Sequence, residues 1–317
     1  MSADILVVGS INMDASVYVP HIPSVGETVL GRKLALTPGG KGANQAVAAA
    51  KLGGHAAIVG KVGKDWLGEQ LRESLASAGV DVAGVDFEQS GTPSGMAFIF
   101  IDPSGNNAIA VAPGANRCLF PEDIEKSDSL FRSSGLLLIQ LEIPMDTVRY
   151  ALSKAKRRGM TTILDPAPAV PLPPEVLECV DILTPNESEA QILLQKAPCA
   201  MSVPEAERIA IALHEGGARR VILKLGDRGA WVQGPNNVGR HFPAYEVQAV
   251  DTTAAGDVFN GALAVALSRA EPADTVISFA NAAAALSTTR IGAQVSAPDR
   301  KEVEQFMAQE VRLRHQK

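Results

Sequence analysis

Short apolar runs alternate with amphipathic helical segments along this chain, and that alternation limits the folds it can adopt. The apolar runs lie at residues 5–8, 57–59, 136–139, 162–164, 181–183 and 221–225. Helical periodicity marks residues 66–78, 145–158 and 205–215, and a glycine follows each of these segments. Strands that are apolar throughout are typical of a parallel sheet covered by helices on both faces. We therefore expect an α/β fold that binds its ligands beyond the carboxyl ends of the strands.

Two segments interrupt the alternation and predict a separate β element. Residues 15–38 lack helical periodicity, and residues 95–111 have the pattern of a hairpin, with strands at 96–101 and 107–111. These strands have no obvious place in a parallel sheet, so we expect a small antiparallel lid over the strand ends. No repeat, linker or low-complexity stretch divides the chain, and residues 1–317 are therefore expected to form one domain with this lid.

The composition argues against several classes of function. The chain has 317 residues and a net charge of −6, which argues against binding to nucleic acid or to an anionic membrane. No apolar run approaches the length of a membrane span. The three cysteines form no Cys-x-x-Cys motif and leave one thiol unpaired in any disulfide scheme. This cysteine usage and the lack of a signal-peptide pattern predict a cytoplasmic protein.

The most informative motif for function lies at residues 251–263, where small residues lead directly into an apolar helical pattern. Ala254, Ala255 and Gly256 predict a tight loop that opens onto a helix N-terminus. The first N–H groups of a helix lack internal partners and attract anions. A carboxylate there, Asp257, is suited to take a proton from a hydroxyl that attacks a bound phosphate. Asp257 is also suited to cap the helix, and the motif alone leaves both roles open.

A second glycine-rich element precedes another helical pattern. Residues 38–44 read Pro-Gly-Gly-Lys-Gly-Ala-Asn, in which the glycines permit close backbone approach and Lys41 and Asn44 supply polar groups. The element is not a Walker loop, because no Gly-Lys-Ser or Gly-Lys-Thr follows at the required spacing. Taken alone, it is better explained as an ordinary strand–turn–helix junction.

Together, these two elements resemble the two signature motifs of the ribokinase-like (PfkB) carbohydrate kinases. Further segments match that family in the same order: Gly9-Ser-Ile-Asn-Met-Asp14, Gln140-Leu-Glu142, Pro166-Ala-Pro168, Thr184-Pro-Asn-Glu-Ser-Glu-Ala190, Lys224-Leu-Gly-Asp-Arg-Gly229 and Thr289-Arg-Ile-Gly-Ala-Gln294. The resemblance runs the whole length of the chain and is strongest to members that act on D-ribose. It implies the family's Rossmann-like fold and transfer of the γ-phosphoryl group of ATP to the 5-hydroxyl of the sugar.

The resemblance also implies roles for individual residues. Asp257 would be the base, and the amides of Ala254, Ala255 and Gly256 would form an anion hole, in which preorganised donors stabilise the charge on the transferring phosphoryl group. The positions that match the family's ribose-binding residues are Asn12, Asp14, Gly40, Lys41, Asn44, Glu142 and Asp257 itself. Carboxylate and amide groups of this kind pair well with adjacent hydroxyls.

The nucleotide and a magnesium ion are implied in the same way. The positions that match the family's ATP-binding residues are Asn186, Lys224, Gly226, Gly229, Gly256 and Asn281. Glu189 matches an acid linked to magnesium and phosphate, and it would reach Mg²⁺ through water. Asn186 and Glu189 also have the spacing of a helix-capping box, and the two roles are compatible. Without the resemblance, Lys224 would be a solvated strand-end residue and Asn281 a polar residue on a helix face.

A potassium site is implied by the resemblance alone. The matching positions are Asp251, Thr253, Ser287, Arg290, Gly292 and Ser296, several of them through backbone carbonyls. K⁺ bound there would orient the anion hole from behind. Without the resemblance, Arg290 is better explained as a favourable charge near a helix C-terminus.

Two positions depart from the family pattern without loss of an expected functional residue. Ala254 stands where many relatives have Gly, and Asp165 precedes Pro-Ala-Pro where Asn is frequent, which adds negative charge near the site. Two other functions stay open: a family kinase for 2-deoxyribose, and a sugar-binding regulator that has lost catalysis, against which the intact Asp257 and Gly256 argue. We also expect the lids of two subunits to pair in a homodimer, because a small open sheet has exposed edges and little core.

Overall fold

A computed structural model of the chain describes residues 4–235 and 238–315. The remaining residues of the predicted domain at 1–317 lie outside this range. The strands are β1 Ile5–Val8, β2 Asn12–Tyr18, β3 Lys33–Gly39, β4 Ala56–Gly63, β5 Asp81–Glu88, β6 Gly95–Ile101, β7 Asn107–Ala112, β8 Leu136–Ile139, β9 Thr161–Leu164, β10 Ile182–Leu183, β11 Val221–Lys224, β12 Ala230–Gln233 and β13 Gly239–Phe242. The helices are α1 Lys41–Lys51, α2 Trp66–Ser77, α3 Pro121–Lys126, α4 Asp128–Ser133, α5 Met145–Arg157, α6 Pro174–Leu177, α7 Glu187–Leu193, α8 Val203–Glu215, α9 Ala255–Ser268, α10 Ala273–Ser287 and α11 Arg300–His315.

The larger sheet has nine strands in the order β13-β12-β11-β10-β9-β8-β1-β4-β5. The strands from β5 to β11 run parallel to one another, and β12 and β13 continue the sheet as an antiparallel edge. The prediction of a mainly parallel sheet is therefore confirmed. The carboxyl ends of the parallel strands share one edge, which is where ligands of such sheets bind.

Two apolar cores cover the faces of this sheet, because successive side chains of a strand point to opposite faces. In β1, Ile5 and Val7 pack in a core with residues of α1 and α9. Leu6 and Val8 pack in a second core with residues of α5 and α8. Burial on both faces explains why β1 is apolar at every position rather than at alternate ones.

Close packing of α9 against α1 brings the two glycine-rich elements together. Gly261 on α9 makes this approach possible, since a Cβ at that position would lie 2.8 Å from the Ala48 Cβ and 2.9 Å from the Gln45 carbonyl oxygen. Both helices are buried along most of their length. The packing thus sets side by side the N-terminal turns that carry Lys41 and Asp257.

The segments predicted as a lid form a separate four-stranded sheet in the order β3-β2-β6-β7. The predicted hairpin is confirmed, because β6 and β7 pair antiparallel around the turn. The prediction of a wholly antiparallel lid needs correction, since the central pair, β2 and β6, runs parallel. The parallel pairing arises because β2 and β6 come from different parts of the chain, 83 positions apart at the paired residues Asn12 and Gly95, and no hairpin joins them.

Three strands of the main sheet were not predicted from the sequence: β5, β12 and β13. They lie at or next to the two sheet edges, and β5 and β13 are only partly buried, which weakens their apolar pattern. All three cysteines of the chain are free thiols. Among the described residues, no helix is long and apolar enough to cross a membrane.

Candidate active site

Helix α9 begins at the small-residue loop that the sequence analysis singles out. Ala254 is its N-cap and has a left-handed backbone conformation, with φ 59°. This conformation costs an L-residue roughly 1–2 kcal/mol, and glycine would adopt it without that cost. The Ala255 N–H donates to the Thr252 carbonyl at 3.2 Å and closes the turn. Asp257 follows in the first turn of the helix, so the predicted base and anion hole occupy one helix N-terminus.

Two amide side chains of α1 hold the Asp257 carboxylate, which is only 5% exposed. Asn44 Nδ2 donates to Asp257 Oδ2 at 3.0 Å, and Gln45 Nε2 donates to Oδ1 at 2.9 Å. Burial raises the pKa of Asp257, Lys41 opposes that rise, and Asp165 adds to it. A carboxylate with a raised pKa is a stronger base, which suits the removal of a proton from a hydroxyl.

A cavity of about 670 Å³ opens in front of the α9 N-terminus. Its lining contains the predicted anion-hole residues together with Lys41, Asn186, Glu189, Lys224 and Gly226. The side chain of Lys224 stands close to the loop, since a Cβ built on Gly256 would lie 3.5 Å from Lys224 Nζ. Two ammonium groups and a helix N-terminus around one cavity provide a suitable environment for phosphate groups.

A second cavity, of about 470 Å³, adjoins the first. Lys224, Gly226, Gly229, Gly256 and Asn281 all line it, so five of the six predicted ATP-binding residues meet here and the sixth, Asn186, lines the first cavity. The remaining wall includes the apolar side chains of Val247, Phe259 and Ala284, which suit the face of a heterocyclic base.

Gly229 is required by the shape of this second cavity. Its φ is 89°, and a Cβ at that position would lie 2.1 Å from the Phe242 carbonyl oxygen. Asn281 Nδ2 donates to the carbonyls of Phe242 and Pro243, each at 3.3 Å. Asn281 therefore ties α10 to the segment after β13, a contact that the pattern of a polar residue on a helix face does not predict.

Asn186 and Glu189 form the capping box that their spacing predicts. Asn186 Oδ1 accepts from the Glu189 N–H at 2.8 Å, and Glu189 Oε2 accepts from the Asn186 N–H at 2.7 Å. Both residues also line the 670 Å³ cavity. Glu189 Oε2 is thus engaged with the helix N-terminus while the carboxylate remains at the cavity, and capping and a role at the phosphates are geometrically compatible.

A third cavity, of about 310 Å³, is lined by Asn12, Asn116 and Glu142. Asn116 fixes the orientation of Asn12, because Asn116 Nδ2 donates to Asn12 Oδ1 at 2.7 Å. Asn116 is held in turn by the Ile11 N–H, which donates to its Oδ1 at 2.8 Å. Asn12 therefore presents its Nδ2, a hydrogen-bond donor, to a ligand in this cavity.

Glu142 is held at the same cavity by the chain after β1 and the first residue of α1. Ser10 Oγ donates to Glu142 Oε2 at 2.5 Å, and the Lys41 N–H donates to the same oxygen at 3.3 Å. Gly40 has a φ of 89° and packs against this segment so closely that a Cβ would lie 2.7 Å from the Asn12 nitrogen. The glycine-rich element is thus more than a strand–turn–helix junction: it brings predicted sugar-binding residues into contact.

Asp14 on β2 completes a group of carboxylates around this position. Burial, together with the nearby charges of Glu142 and Asp257, raises the pKa of Asp14 to about 7. Lys41 faces the same carboxylates: burial alone lowers its pKa, but Asp257 and Glu142 raise it above its ordinary value. Among the described residues, Asn44 Oδ1 is buried without a hydrogen-bond partner, and so it remains available to a ligand hydroxyl.

The segments predicted to hold potassium are adjacent and joined through Asp251. One Asp251 oxygen accepts from the Thr253 N–H at 2.9 Å and the other from the Gly292 N–H at 2.8 Å. The Arg290 side chain is engaged by Glu302, so only the Arg290 backbone is available to face a cation. The hydroxyls of Ser287 and Ser296 each donate to a backbone carbonyl at 2.8 Å. Within residues 4–235 and 238–315, no group of three or more His, Cys, Asp or Glu side chains could hold a metal ion.

Several residues of the site were not predicted from the sequence. Ser10, Gln45, Asn116 and Gln140 orient the predicted groups by hydrogen bonds from distant parts of the chain. Lys51, at the end of α1, donates to the carbonyls of Gln294, Val295 and Ala297 and so supports the predicted potassium segment. Ser10, Gln45 and Gln140 lie inside or next to the quoted motifs, and this proximity is the sequence feature that could have indicated their role in the site.

A mainly parallel α/β sheet with a buried carboxylate at a helix N-terminus, on the wall of a cavity that two lysines line, is typical of nucleotide-dependent small-molecule kinases. The chain belongs to the pfkB family of carbohydrate kinases, whose family model matches residues 2–300. The family expected from the motifs is therefore confirmed.

Individual relatives cover nearly the whole chain. Ribokinase of Haemophilus influenzae is 39% identical over 307 residues, which are 97% of this chain and 99% of that protein. Deoxyribokinase of Salmonella typhimurium is 35% identical over 308 residues, covering 96% and 97% of the two chains. The solved structure of Arabidopsis thaliana ribokinase complexed with ribose and ATP has a TM-score of 0.89 at 33% identity and covers 96% of this chain and 99% of its own.

Proposed function

We propose that this chain transfers the γ-phosphoryl group of ATP to the 5-hydroxyl of D-ribose and gives ribose 5-phosphate. The observation that carries the proposal is the position of Asp257. Its carboxylate is held by Asn44, a predicted sugar-binding residue, and it lies on the wall of the 670 Å³ cavity at the α9 N-terminus. Full-length similarity to ribokinases, one of them solved with ribose and ATP, supports the choice of sugar and nucleotide.

The chemistry assigned to the chain follows from that position. Asp257 takes the proton of the 5-hydroxyl as the hydroxyl oxygen attacks the γ-phosphorus. The bond from that phosphorus to the β,γ-bridging oxygen breaks, and ADP leaves. The amides at Ala254, Ala255 and Gly256, together with Lys224, stabilise the charge on the transferring group. Gly226, Gly229 and Asn281 hold the nucleotide beyond it.

The sugar hydroxyls are recognised by a mixed set of donors and acceptors. Asn12 presents an N–H donor, Asn44 presents an oxygen acceptor, and Asp14 and Glu142 present carboxylates. At the start of α1, Gly40 packs against Asn12 and the Lys41 N–H donates to Glu142. A polyol that both donates and accepts at neighbouring carbons matches such a set.

Magnesium would be held at the phosphate cavity by Glu189 through water, with Asn186 beside it. The donor set fits, because Mg²⁺ prefers oxygen ligands and usually keeps several waters, and both residues line that cavity. The ion would supply charge neutralisation at the β- and γ-phosphates. Glu189 keeps its helix-capping hydrogen bond in this arrangement.

Potassium is proposed for the segments at Asp251, Thr253, Ser287, Arg290, Gly292 and Ser296. The fit rests on Asp251, whose pKa is lowered by its hydrogen bonds against the effect of burial, so that a negative charge stays between the two segments. We expect KCl to raise kcat more than NaCl does at equal ionic strength, measured with ATP and D-ribose at saturation. Equal rates in potassium, sodium and tetramethylammonium chloride would contradict the assignment.

A kinase for 2-deoxyribose is the alternative, favoured by the 35% identity to a deoxyribokinase. We expect D-ribose to be preferred at least roughly tenfold in kcat/KM, because a missing hydroxyl leaves a buried polar group without its partner, at about 1–3 kcal/mol. Steady-state kinetics on the two sugars at fixed ATP measure this preference. Asp14→Ala should lower kcat/KM more for ribose than for deoxyribose, and so reduce the preference for ribose. Equal reaction of both sugars with the unaltered enzyme would favour the deoxyribose assignment.

We also propose a homodimer in which the four-stranded lids of two subunits pair. Leu36 and Phe98 are paired with Ala15 from its two neighbouring strands, so the three side chains lie on one face of the lid. Leu34, two residues before Leu36, lies on the same face, and Asp14 lies on the other face. Leu34, Leu36 and Phe98 are 62%, 45% and 41% exposed, an apolar surface that a second copy would cover. Light scattering at micromolar concentration should give twice the 33.2 kDa chain mass. A monomer would contradict the proposal, and Phe98→Glu should produce one.

We further propose a single-domain organisation and a cytoplasmic location. Residues 1–317 form a single kinase domain, with the lid built from segments 15–38 and 95–111, and the protein acts in the cytoplasm. Three free thiols support a reducing compartment. The net charge of −6 supports small-molecule substrates rather than nucleic acid or membrane as partners.

A further inference from the structure

Asp165 follows β9 and is the most buried ionisable side chain beside the predicted base, with 1% exposure. Its Oδ2 accepts from Gln45 Nε2 at 2.9 Å, and its Oδ1 accepts from Lys224 Nζ at 2.9 Å. A fully buried carboxylate needs such partners, because an unpaired charge in the interior is costly. Both partners are groups of the site, so Asp165 contacts the catalytic region without lying among the predicted sugar-binding residues.

Gln45 connects Asp165 to Asp257. Gln45 Nε2 donates to both carboxylates, at 2.9 Å to each. Gln140 Nε2 donates to Gln45 Oε1 at 2.6 Å, which fixes the orientation of the Gln45 amide. The side chain therefore has one arrangement that satisfies all three neighbours, with its two N–H bonds directed at two different carboxylates.

We propose that Asp165 is a positioning residue for phosphoryl transfer: through Gln45 it holds the carboxylate of Asp257 in place, and through its ion pair it keeps Lys224 at the phosphate cavity. The inference rests on the proposed kinase function and on Asp257 as its base. Asp165 also lines the 670 Å³ cavity, but in this role it acts through Gln45 and Lys224.

Two physical effects give Asp165 this influence. Its hydrogen bond occupies one N–H of Gln45, so that the other N–H can be directed only at Asp257. Its negative charge also raises the pKa of Asp257 and so strengthens the base. The charged groups around Asp257 are Lys41 on α1, Asp14 on β2, Lys224 on β11 and Asp165 after β9. Glu187 and Glu189 on α7 also line its cavity, and Glu142 after β8 lies next to Asp14 and Lys41. Asp165 is the member of this set that contacts both Gln45 and Lys224.

The test is the pH dependence of kcat for Asp165→Asn in the full-length enzyme, at saturating ATP and D-ribose. Asparagine keeps the shape but loses the charge and one acceptor. We expect kcat to fall about tenfold or more, and the acidic limb of the profile to move to lower pH, because Asp257 loses a neighbouring negative charge. The KM for ribose should stay within about twofold, since Asp165 makes no contact at the sugar cavity.

Gln45→Met provides a second, opposite readout. It removes the N–H that favours the ionised form of Asp257, so the acidic limb should move to higher pH. If Asp165 acts through Gln45, the double variant should lose less kcat than the product of the two single losses. This variant also decides the question if Asp165→Asn fails to fold, because an unmoved pH profile in Gln45→Met would overturn the proposal.

Asp123→Asn is the matched control. Asp123 is another buried aspartate, 4% exposed, that pairs with two lysines, Lys61 and Lys126, away from the site. The Asp123→Asn substitution should lower the Tm without moving the pH profile of kcat. The same behaviour in Asp165→Asn, a lower Tm with an unchanged profile, would mean a merely structural role and would overturn the inference. An unaltered enzyme that phosphorylates no sugar would instead overturn the proposed function, so the two failures are distinguishable.

Discussion

Replacing Asp257 with asparagine should lower kcat by roughly 10²–10⁴-fold, the usual effect of removing a general base. The sugar should still bind, because the variant keeps the size of the side chain and leaves the contacts of Asn12 and Glu142 in place. The loss should therefore appear in kcat and not in the affinity for ribose.

The measurement pairs steady-state kinetics with calorimetric titration of ribose into the variant. Asp146→Asn is the matched control, since Asp146 lies on α5 with a side chain 80% exposed and away from the site. A thermal melt checks folding, because asparagine offers only one oxygen to the two donors of Asn44 and Gln45. A kcat within a few-fold of the unaltered enzyme would remove Asp257 from the mechanism.

Replacing Asp14 with asparagine should weaken ribose binding and stabilise the protein at the same time. A hydrogen bond to a charged group contributes about 1.5–3 kcal/mol, so its loss should raise the ribose Kd roughly tenfold or more. The pKa of Asp14 is raised from 3.8 to about 7, which means that the folded state binds the proton more tightly than the unfolded state. Stability is therefore lost as the pH rises from about 4 through 7, where the buried carboxyl must ionise.

The asparagine variant does not ionise, so it escapes this penalty. Its Tm should exceed that of the unaltered enzyme at pH 8, and the gain should be smaller at pH 5. Calorimetric melts of the ligand-free enzymes at both pH values measure the difference, with Asp146→Asn as the control that should show no such trend. A Tm gain that is equal at pH 5 and pH 8, or a loss at pH 8, would contradict burial of Asp14 among like charges.

The positions of most central strands and of the longer helices can be predicted from local sequence patterns. β1 and β8 are apolar throughout, and α2 and α5 end at glycines, so their positions could be predicted. The edge strand β5 could not, because it is only partly buried and contains Gly84, where a Cβ would lie 2.8 Å from the Ile58 carbonyl. Its assignment depends on pairing with β4, which no local pattern shows.

The residues of the site also fall into those that the sequence predicts and those that it does not. Asp257, Lys41 and Asn44 lie in short motifs whose small residues mark a helix N-terminus, and these motifs are visible in the sequence. Asn116 and Gln45 are different, because their function arises from contacts that span 105 and 212 positions, to Ile11 and to Asp257. Polar residues acquire such positioning roles from the fold, and only the three-dimensional arrangement shows which of them are involved.

Asp165 shows most clearly how little a motif alone predicts about the contacts of a residue. The family pattern indicates that a charged residue stands where an amide is frequent, but it gives no partner for that charge. The structure supplies both partners, Gln45 and Lys224, at 2.9 Å each. The structure thus leads from an aspartate in place of a frequent asparagine to a specific hypothesis about how Asp257 is held.

The central claim, that the γ-phosphoryl group of ATP is transferred to the 5-hydroxyl of D-ribose, is tested most directly by identifying the product. Purified enzyme should be incubated with ATP, Mg²⁺, KCl and ribose carrying ¹³C at carbon 5, and the mixture followed by ³¹P and ¹³C NMR. The account predicts a phosphomonoester signal coupled to carbon 5, formed in step with ADP and absent with Asp257→Asn. Phosphate attached at another carbon, or release of inorganic phosphate with the sugar unchanged, would contradict it.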